Sequence, residues 1–431
     1  MATPAQLADR QKVDTGAGFR EISLPWHESL KTELTDGHQI DLLEGGAEFF
    51  PALVAAIDQA EKSILIETYI FGSDPTAVRI ARALADASMR GVQVRCIIDG
   101  FGTRELKGEV RDIIDSSQVR LETYRPEPAR LSFDRQRLRR MHRKLVVVDG
   151  EHIFVGGINL IDDMHDIRHG ILDAPRFDFA VRVSGPMVAS AHLTANRLWW
   201  ELRFINSSLR KPRPSGAEPE NGSVYVMPTI VRSVISRVGD KRAMLIFRDN
   251  FRHRHTIERW YLQAIRAATK DIVIANAYFL PGVRFRRALI DAVKRGVRVR
   301  LLLQGKVDYK MQYLATQALY DRLLSEGVEV IEYQASFLHA KVAVIDNLAT
   351  VGSSNIDPFS LLLAREANVV IDDPGFAANL RSRLETAINN GGRVLKLQEH
   401  RGRPFWQRVK NWFAFILLRL AVSFTGRAGR Y

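Results

Sequence analysis

The stretch Arg90-Gly-Val-Gln-Val-Arg-Cys-Ile-Ile-Asp-Gly100 decides the fold, because it returns in the second half of the chain as Arg295-Gly-Val-Arg-Val-Arg-Leu-Leu-Leu-Gln-Gly305. A second pair of segments is displaced in the same way, Lys62-Ser-Ile-Leu-Ile-Glu-Thr-Tyr-Ile-Phe71 and Asp271-Ile-Val-Ile-Ala-Asn-Ala-Tyr-Phe-Leu280. A repeat of roughly 200 residues is far longer than the ~20–50 residues of a solenoid unit. The sequence therefore predicts two domains of one architecture in tandem.

Each half alternates short β-branched runs with helical patterns, which predicts an α/β sheet with helices on both faces. In the first half we expect strands near 63–70, 92–98, 118–124, 144–149, 152–156 and 177–183, with helices near 46–61, 76–90 and 186–204. In the second half we expect strands near 271–279, 297–303, 328–333, 341–346 and 349–352, with helices near 254–269, 283–295 and 312–326. The expected divisions are an N-terminal extension 1–37, a first domain 38–208, a linker 209–242, a second domain 243–400 and a tail 401–431.

The composition describes a folded and strongly basic protein. Of 431 residues, 46% are hydrophobic and 26% charged, which excludes a disordered chain. The single cysteine excludes an internal disulfide framework and a Cys-rich zinc module. The formal net charge of +13 favours an anionic bilayer surface or a nucleic acid as partner.

The tail carries the apolar run Trp412–Leu418 between basic residues, and this run is too short to span a bilayer. Its tryptophans and basic flanks favour a helix lying in the membrane interface. The alternative is a last helix packed on the core. Nothing at the N-terminus resembles a signal peptide, because no apolar stretch follows basic residues there.

Two segments share the spacing H-x-K-x₄-D, His142-Arg-Lys144-Leu-Val-Val-Val-Asp149 and His339-Ala-Lys341-Val-Ala-Val-Ile-Asp346. Each is followed by a small-residue turn that leads to an asparagine, Asn159 or Asn355. One such match is a weak signal, but two matches at the same place in a repeat are not accidental. On an extended strand, residues i and i+2 face the same way, so the His and Lys of each motif share a face.

If the halves pack about a pseudo-twofold axis, the two motifs form one pocket that suits a phosphodiester. Its phosphate-binding groups would be Lys144, Asn159, Lys341 and Asn355, which need no metal and no cofactor. One neutral imidazole would attack phosphorus and form a phosphohistidine, while the other transfers protons to and from the alcohols. The motif residues Asp149 and Asp346 end strands beside a turn, so we expect them to hold a loop by hydrogen bonds.

At these residues the chain resembles the phospholipase D superfamily, whose defining motif is this duplicated pattern. Segments 139–144, 275–279, 338–341 and 350–355 are similar to B-type bacterial cardiolipin synthases, and the similarity covers roughly residues 38–372. The resemblance implies two tandem phospholipase D-like α-β-α domains related by pseudo-twofold symmetry, with one shared active site. It also implies transfer of a phosphatidyl group to the hydroxyl of phosphatidylglycerol, giving cardiolipin and glycerol.

In that superfamily an acid after each motif orients the histidine of the opposite half. The resemblance therefore pairs Asp178 with His339 and Glu366 with His142. By the same analogy His142 is the nucleophile and His339 the acid–base, an order that the sequence alone leaves open. Aligned positions offer further candidates beside the site, with ordinary strand packing as the alternative: Glu67, Tyr69, Asn276 and Tyr278.

The expected partners are phospholipid substrates, with phosphatidylglycerol among them, and an anionic membrane surface. The expected location is peripheral, on the cytoplasmic side of a bacterial inner membrane. The basic run from Arg130 to Arg143 is interpreted as a funnel for lipid headgroups, or else as a solvated loop. Two other functions stay open: a phospholipase D that releases phosphatidic acid, and a nucleic-acid phosphodiesterase. We expect no nucleic acid, because basic residues are not interleaved with aromatic ones.

Overall fold

The computed structural model describes residues 33–127, 139–209, 237–250 and 253–423. Most of the N-terminal extension and of the linker predicted from the sequence lies outside these ranges, and so does the end of the tail. The domain boundaries therefore stay predictions.

The first half runs from a long strand to a long helix. Its described elements are β1 (Thr35–Glu44), α1 (Gly45–Asp58), β2 (Ser63–Thr68), α2 (Pro75–Met89), β3 (Gln93–Asp99), α3 (Gly108–Asp115), β4 (Arg120–Tyr124), β5 (Leu145–Val148), β6 (His152–Gly156), β7 (His165–Asp166), β8 (Gly170–Ile171), β9 (Phe179–Ser184) and α4 (Val188–Leu209).

The second half repeats most of this order and adds a C-terminal helix. Its described elements are β10 (Lys241–Arg248), α5 (Thr256–Ala267), β11 (Asp271–Asn276), α6 (Val283–Lys294), β12 (Arg298–Gln304), α7 (Lys310–Ser325), β13 (Glu329–Tyr333), β14 (Lys341–Ile345), β15 (Leu348–Gly352), α8 (Pro358–Leu362), β16 (Glu366–Asp372), α9 (Pro374–Gly391), β17 (Gly392–Val394), α10 (Leu397–Arg401) and α11 (Phe405–Ser423).

The strand order shows the pseudo-twofold symmetry directly. Within the described ranges, 15 strands follow the order β17-β13-β12-β11-β14-β15-β16-β10-β1-β9-β6-β5-β2-β3-β4. The central pair, β1 and β10, is antiparallel. Counting outward from β1 and from β10, each half gives three antiparallel strands, then the strand of the motif, then three strands parallel to one another. The second half adds the antiparallel edge strand β17. This order confirms the prediction of two related α/β domains.

Strand alternation builds the layers of the molecule. In β5, Leu145 and Val147 face an apolar cluster that contains residues of both halves, including Val342 and Val344 of β14. The alternate residues of β5 face a separate cluster, formed with the helices of the first half. Because side chains alternate between the two faces of a strand, each half-sheet has two packed faces. One face joins the halves and also packs against α4 or α9, and the other face carries further helices of its own half. Burial of each such side chain contributes roughly 1.5–3 kcal/mol.

The central strands are the main difference between the structure and the strands predicted from the sequence. The sequence predicts no strand at β1, β10 or β16. Polar residues interrupt the apolar pattern of β1, among them Asp36, His38 and Asp41. β10 begins with Lys241 and Arg242. Pairing of each strand with the opposite half, rather than a local apolar run, determines their conformation.

Candidate active site

A short backbone contact between the halves positions the first motif. Met141 pairs with Arg365 in an isolated parallel bridge, and the His142 N–H donates to the Arg365 carbonyl at 3.0 Å. The next residue of that strand is Glu366. Its carboxylate lies against the His142 ring, with Nδ1 at 3.0 Å from Oε1 and 3.3 Å from Oε2.

The second motif is positioned in the same way. Phe177 pairs with Leu338 in an isolated parallel bridge, and the His339 N–H donates to the Phe177 carbonyl at 2.9 Å. Asp178 follows, and its Oδ2 lies 2.6 Å from His339 Nδ1. Each imidazole is therefore held by a carboxylate of the other half through Nδ1, which leaves Nε2 for chemistry.

The two motif lysines are buried beside the histidines. Lys144 Nζ donates to the His142 carbonyl at 2.8 Å, and Lys341 Nζ donates to the carbonyl of His339. Lys341 Nζ also lies 3.9 Å from Asp178 Oδ2. Burial lowers the pKa of Lys144 to about 7 and that of Lys341 to about 8.

The charges of both halves act on the same imidazoles. Burial and then the charge of Lys144 lower the pKa of His142, and Lys341 of the other half acts in the same direction. Burial, Lys341 and Lys144 lower the pKa of His339 well below its ordinary value. The charges of both motif lysines thus act on both histidines, so the two motifs share one pocket. A bound phosphodiester anion would offset this charge and favour the protonated forms.

The two orienting acids differ in their protonation behaviour. Burial raises the pKa of Asp178 to about 6, against the opposing charge of Lys341. Burial also disfavours ionisation of Glu366, but the charge of His142 and its hydrogen bond hold the pKa of Glu366 below its ordinary value. Glu366 is therefore the more firmly ionised of the two acids.

Small-residue positions after the motifs explain part of this difference. Ser353 Oγ donates to Oε2 of Glu366. At the equivalent position of the first half, a Cβ on Gly157 would collide with Oδ1 of Asp178. Glycine is required there because the carboxylate of Asp178 occupies the space that a side chain would need.

Both candidate asparagines are buried. Asn159 Oδ1 accepts a hydrogen bond from the Ile70 N–H at 3.2 Å, which leaves its amide N–H groups as donors. Asn355 Oδ1 has no hydrogen-bond partner among the described residues. The phosphate-binding role of the two asparagines stays a prediction.

The motif aspartates lie at the far ends of their strands, roughly 16 Å from the motif lysines at ~3.3 Å per residue. Asp149 accepts hydrogen bonds from the N–H groups of residues 61–63, and Asp346 from those of residues 269–271. Both have positive φ, 54° and 51°, a conformation that aspartate tolerates better than most residues. Both aspartates belong to the candidate catalytic motif. Their geometry nevertheless gives them a structural role, which is to hold a turn.

Tyr69 contacts the site directly. Its ring meets the His142 ring edge-on at 4.9 Å between centroids, and Lys144 Nζ lies 5.2 Å from the centre of the Tyr69 ring. Tyr278, at the equivalent position of the second half, donates its hydroxyl hydrogen to Asp308 instead.

The other aligned pair has structural contacts. Glu67 forms a buried ion pair with Arg143, and Asn276 Oδ1 accepts from the Ile356 N–H at 3.0 Å. Arg140, from the same basic run as Arg143, pairs with Glu127. These two arginines therefore lie in internal ion pairs rather than in a funnel for lipid headgroups. Residues 128–138 of the run lie outside the described ranges.

Sequence reasoning missed the hairpin β7–β8, which reaches from the first half onto the second. The Arg168 guanidinium lies 3.9 Å from the Tyr309 ring centre, and the His169 ring stacks on Phe337 at 5.2 Å. The sequence signal for this hairpin was the longer segment between Asn159 and Asp178, compared with the segment between Asn355 and Glu366 in the second half. Arg176, whose charge acts on His339 and Lys341, was missed as well and had no counterpart in the repeat.

A metal-binding cluster and a membrane-spanning helix are both absent from the described residues. They contain no group of three or more His, Cys, Asp or Glu side chains that could hold a metal ion. Of the helices in the described ranges, none has the length and apolar character needed to cross a membrane.

Comparisons with known proteins agree with this geometry. The family model described as "Cardiolipin synthase, PLD-like domain" matches residues 53–170 and 261–388. Cardiolipin synthase B of Salmonella typhi is 36% identical over 400 residues, covering 90% of each chain. Cardiolipin synthase B of Escherichia coli K12 is 34% identical over 400 residues, which again cover 90% of each chain. The crystal structure of phosphatidylserine synthase from Haemophilus influenzae Rd KW20 superposes with a TM-score of 0.61 at 14% identity, covering 89% of this chain and 94% of that one. That likeness shows the fold alone.

Proposed function

The chain belongs to the cardiolipin synthase family of phospholipase D-like proteins, and we propose that it transfers a phosphatidyl group to the hydroxyl of phosphatidylglycerol, giving cardiolipin and glycerol. One observation carries the chemistry: two imidazoles, each held through Nδ1 by a carboxylate of the opposite half, share a pocket with two buried lysines. Phosphodiester exchange needs this set, a nucleophile, a proton carrier and cations for the non-bridging oxygens.

In the first step His142 Nε2 attacks phosphorus. The P–Nε2 bond forms, the bond from phosphorus to the headgroup oxygen breaks, and His339 Nε2 gives its proton to the leaving alcohol. In the second step the acceptor hydroxyl gives a proton back to His339, its oxygen attacks phosphorus, and the P–N bond breaks. Both histidines return to their starting state, so one proton and one phosphatidyl group are exchanged per turnover.

The difference between the two acids supports this order of roles. A phosphohistidine that keeps its Nδ1 proton has a positively charged ring, so an ionised partner stabilises that ring. Glu366, with its lowered pKa, is suited to that task beside His142. Asp178, whose pKa is raised to about 6, is suited to a histidine that alternates between protonated and neutral forms.

The test is to incubate the protein with vesicles of phosphatidylglycerol alone and to separate the products. We expect cardiolipin and glycerol in equal amounts, with neither formed by a His142→Asn variant. Phosphatidic acid without cardiolipin would identify a phospholipase D with water as the acceptor and would overturn the transferase assignment.

We also propose that α11 binds an anionic membrane surface. One face of this helix packs on α7, where Asn411 Nδ2 donates to Gln317 Oε1 at 3.3 Å and Ala414 is buried. The opposite face exposes an apolar stripe: Phe405, Trp406, Trp412, Phe413, Leu417 and Leu420, each 45–72% exposed. Exposed basic residues flank the stripe, Arg408, Lys410 and Arg419. Aromatic rings bordered by cations are typical of a helix in the headgroup region.

The direction of α11 supports a link between this face and the active site. Arg408 approaches Asp321 and Asn411 contacts Gln317, so the two helices run antiparallel. The C-terminal end of α11 therefore lies beside the N-terminal end of α7, close to the exposed Tyr309 and Met311. The cytoplasmic side of a bacterial inner membrane stays a prediction from the sequence.

Sedimentation with anionic vesicles tests the membrane face. Because the stripe is exposed, replacing Trp406, Trp412 and Phe413 by serine leaves the packed face intact, and we expect bound protein to fall at least tenfold. Met89→Ser, at an apolar position 68% exposed on α2, is the matched control and should sediment like the unaltered protein. Unchanged sedimentation of the triple variant would overturn the assignment of α11.

A further inference from the structure

Exposed apolar side chains gather where the β7–β8 hairpin of the first half meets the loop between β12 and α7 of the second. Two of them belong to the hairpin, and three belong to the loop and the start of α7. Each is 38–76% exposed: Ile167, Ile171, Val307, Tyr309 and Met311. We call this set the rim patch. A single exposed apolar side chain is ordinary on a protein surface, but several that lie together mark a contact site.

Two contacts join the hairpin part of the rim patch to the loop part. Arg168 follows Ile167, and its guanidinium lies 3.9 Å from the centre of the Tyr309 ring. His169 Nε2 lies 3.5 Å from Oδ1 of Asp308, the residue before Tyr309. The apolar side chains of the two halves therefore border one junction, and the rim patch belongs to neither half alone.

The hairpin has a defined shape that comes from polar contacts. Asp166 Oδ1 accepts hydrogen bonds from the N–H groups of Arg168 and His169, at 2.8 and 3.0 Å. Its Oδ2 lies 3.5 Å from Nη2 of Arg176. The two isoleucines of the rim patch are thus exposed on a hairpin whose shape does not depend on them.

The rim patch borders the catalytic pocket. The Tyr309 ring meets the Tyr278 ring edge-on, with 5.5 Å between centroids. Burial raises the pKa of Tyr69, the tyrosine that contacts His142, and the Tyr309 hydroxyl and the Arg168 guanidinium act on the same pKa. The junction of hairpin and loop therefore lies near the tyrosines of both halves. The two catalytic imidazoles are 16% and 21% exposed, so the pocket is open to the surface.

The rim patch also lies next to the apolar stripe of α11. Leu314, near the start of α7, packs against the same apolar cluster as Phe415 and Leu418, near the C-terminal end of α11. Exposed basic side chains adjoin the rim patch as they adjoin the stripe, Arg168 and Lys310 among them. Apolar side chains bordered by cations fit an anionic lipid surface better than they fit a neutral protein partner.

We propose that the rim patch inserts into the headgroup layer of an anionic bilayer and places the mouth of the catalytic pocket on the lipid surface. The proposal rests on the proposed function and deepens it. In this arrangement α11 attaches the protein to the bilayer, and the rim patch admits lipids to the pocket. A headgroup phosphate then reaches the histidines while its acyl chains stay in the bilayer, which avoids the large cost of exposing those chains to water.

A fluorescent label tests the insertion directly. Cys96 is the one cysteine of the sequence and is buried, so the Ile167→Cys variant can be labelled selectively with nitrobenzoxadiazole. When phosphatidylglycerol vesicles are added, we expect the emission to rise at least twofold and to shift to shorter wavelength, because the dye enters an apolar layer. The same label on Met89→Cys, at an equally exposed apolar position on α2, is the matched control and should not respond.

Kinetics test what the insertion does. The double variant Ile167→Ser/Ile171→Ser changes exposed side chains only, so the pocket stays intact. We expect its kcat/KM for phosphatidylglycerol in vesicles to fall at least tenfold. Its kcat/KM for dihexanoyl phosphatidylglycerol, supplied as a monomer below the critical micelle concentration, should stay within about twofold, since a monomer needs no contact with a bilayer.

A label at position 167 that ignores the vesicles, while the protein sediments with them, would overturn the rim patch and leave the proposed function in place. An equal loss on both forms of the lipid would overturn it as well. So would a change of oligomeric mass in the double variant, measured by light scattering, because the patch would then join two copies of the chain. Unaltered protein that forms only phosphatidic acid would overturn the transferase assignment, and the label would still report on the rim patch.

Discussion

The two halves of this molecule share a backbone plan and differ in the chemistry that they contribute. Each supplies a histidine and a lysine at the start of an equivalent strand, and each supplies the acid that holds the histidine of the other. Yet Ser353 donates to Glu366, where Gly157 leaves room for Asp178, and a hairpin of the first half replaces the short helix α8 of the second. Duplication supplies the geometry, and a few departures from symmetry supply two unequal roles.

The largest effect on turnover should come from replacing either histidine with asparagine. We expect His142→Asn and His339→Asn each to lower turnover of phosphatidylglycerol by about 10⁴-fold or more, because each removes an essential group. A phosphatidyl ester of p-nitrophenol separates their roles, since its leaving group departs without a proton. His339→Asn should then release a burst of p-nitrophenol and retain the phosphatidyl group, and His142→Asn should not.

Stopped-flow absorbance and mass spectrometry of the quenched protein measure the burst and the adduct. A burst in His142→Asn, with none in His339→Asn, would reverse the two roles. A burst in neither variant would contradict a covalent intermediate.

The next largest effect concerns the small residues after the motifs. Gly157→Ser places a Cβ against Asp178, so it should displace the partner of His339 and lower kcat by about 100-fold. Ser353→Gly removes one hydrogen bond to the charged Glu366, worth about 1.5 kcal/mol, and should lower kcat by about tenfold. Initial rates on phosphatidylglycerol vesicles measure both, and equal effects would show that the asymmetry has no role in catalysis.

The two acids should have opposite effects on stability. Since the pKa of Asp178 is raised to about 6, its ionised carboxylate destabilises the fold. This destabilisation is complete above pH 6 and disappears as the pH falls towards 4. Asp178→Asn should therefore raise the free energy of unfolding at pH 8, by up to about 3 kcal/mol, and by less at pH 5. The same variant should lose activity, because the amide no longer supports the charged His339.

Glu366→Gln should do the reverse. A pKa below its ordinary value of 4.5 means that the ionised Glu366 stabilises the fold at every pH above that value. The free energy of unfolding should fall at pH 5 and at pH 8 alike. Urea denaturation at the two pH values checks both acids, and the same sign of change for both would contradict the difference between them.

The smallest effect should come from the motif aspartates, where the halves are alike. Asp149→Ala and Asp346→Ala remove backbone hydrogen bonds in a turn of positive φ, so each should lower the free energy of unfolding by about 1–3 kcal/mol. At a temperature where both variants are folded, kcat should stay within about twofold. Asp149→Asn keeps an acceptor and is the milder control. A large loss of kcat without loss of stability would assign these residues to catalysis.

Much of the fold was predictable because most strands are local apolar runs. β6 matches its predicted range of 152–156, and β5 differs by one residue at each end. The duplicated motif also predicted two histidines and two lysines in one place, since their spacing follows from strand geometry. β1 and β10 were not predictable in this way, because their stability comes from each other and from neighbouring strands.

The sequence by itself determined the duplication, the two α/β domains and the residue types of the phosphodiester chemistry, because repeated spacing and strand periodicity are local properties. Only the tertiary structure decided how those residues act on one another. The contact of each histidine with a carboxylate and the lowered pKa values of the lysines depend on burial and on contacts between the halves. Such contacts join residues far apart in the chain, and no local pattern encodes their distances.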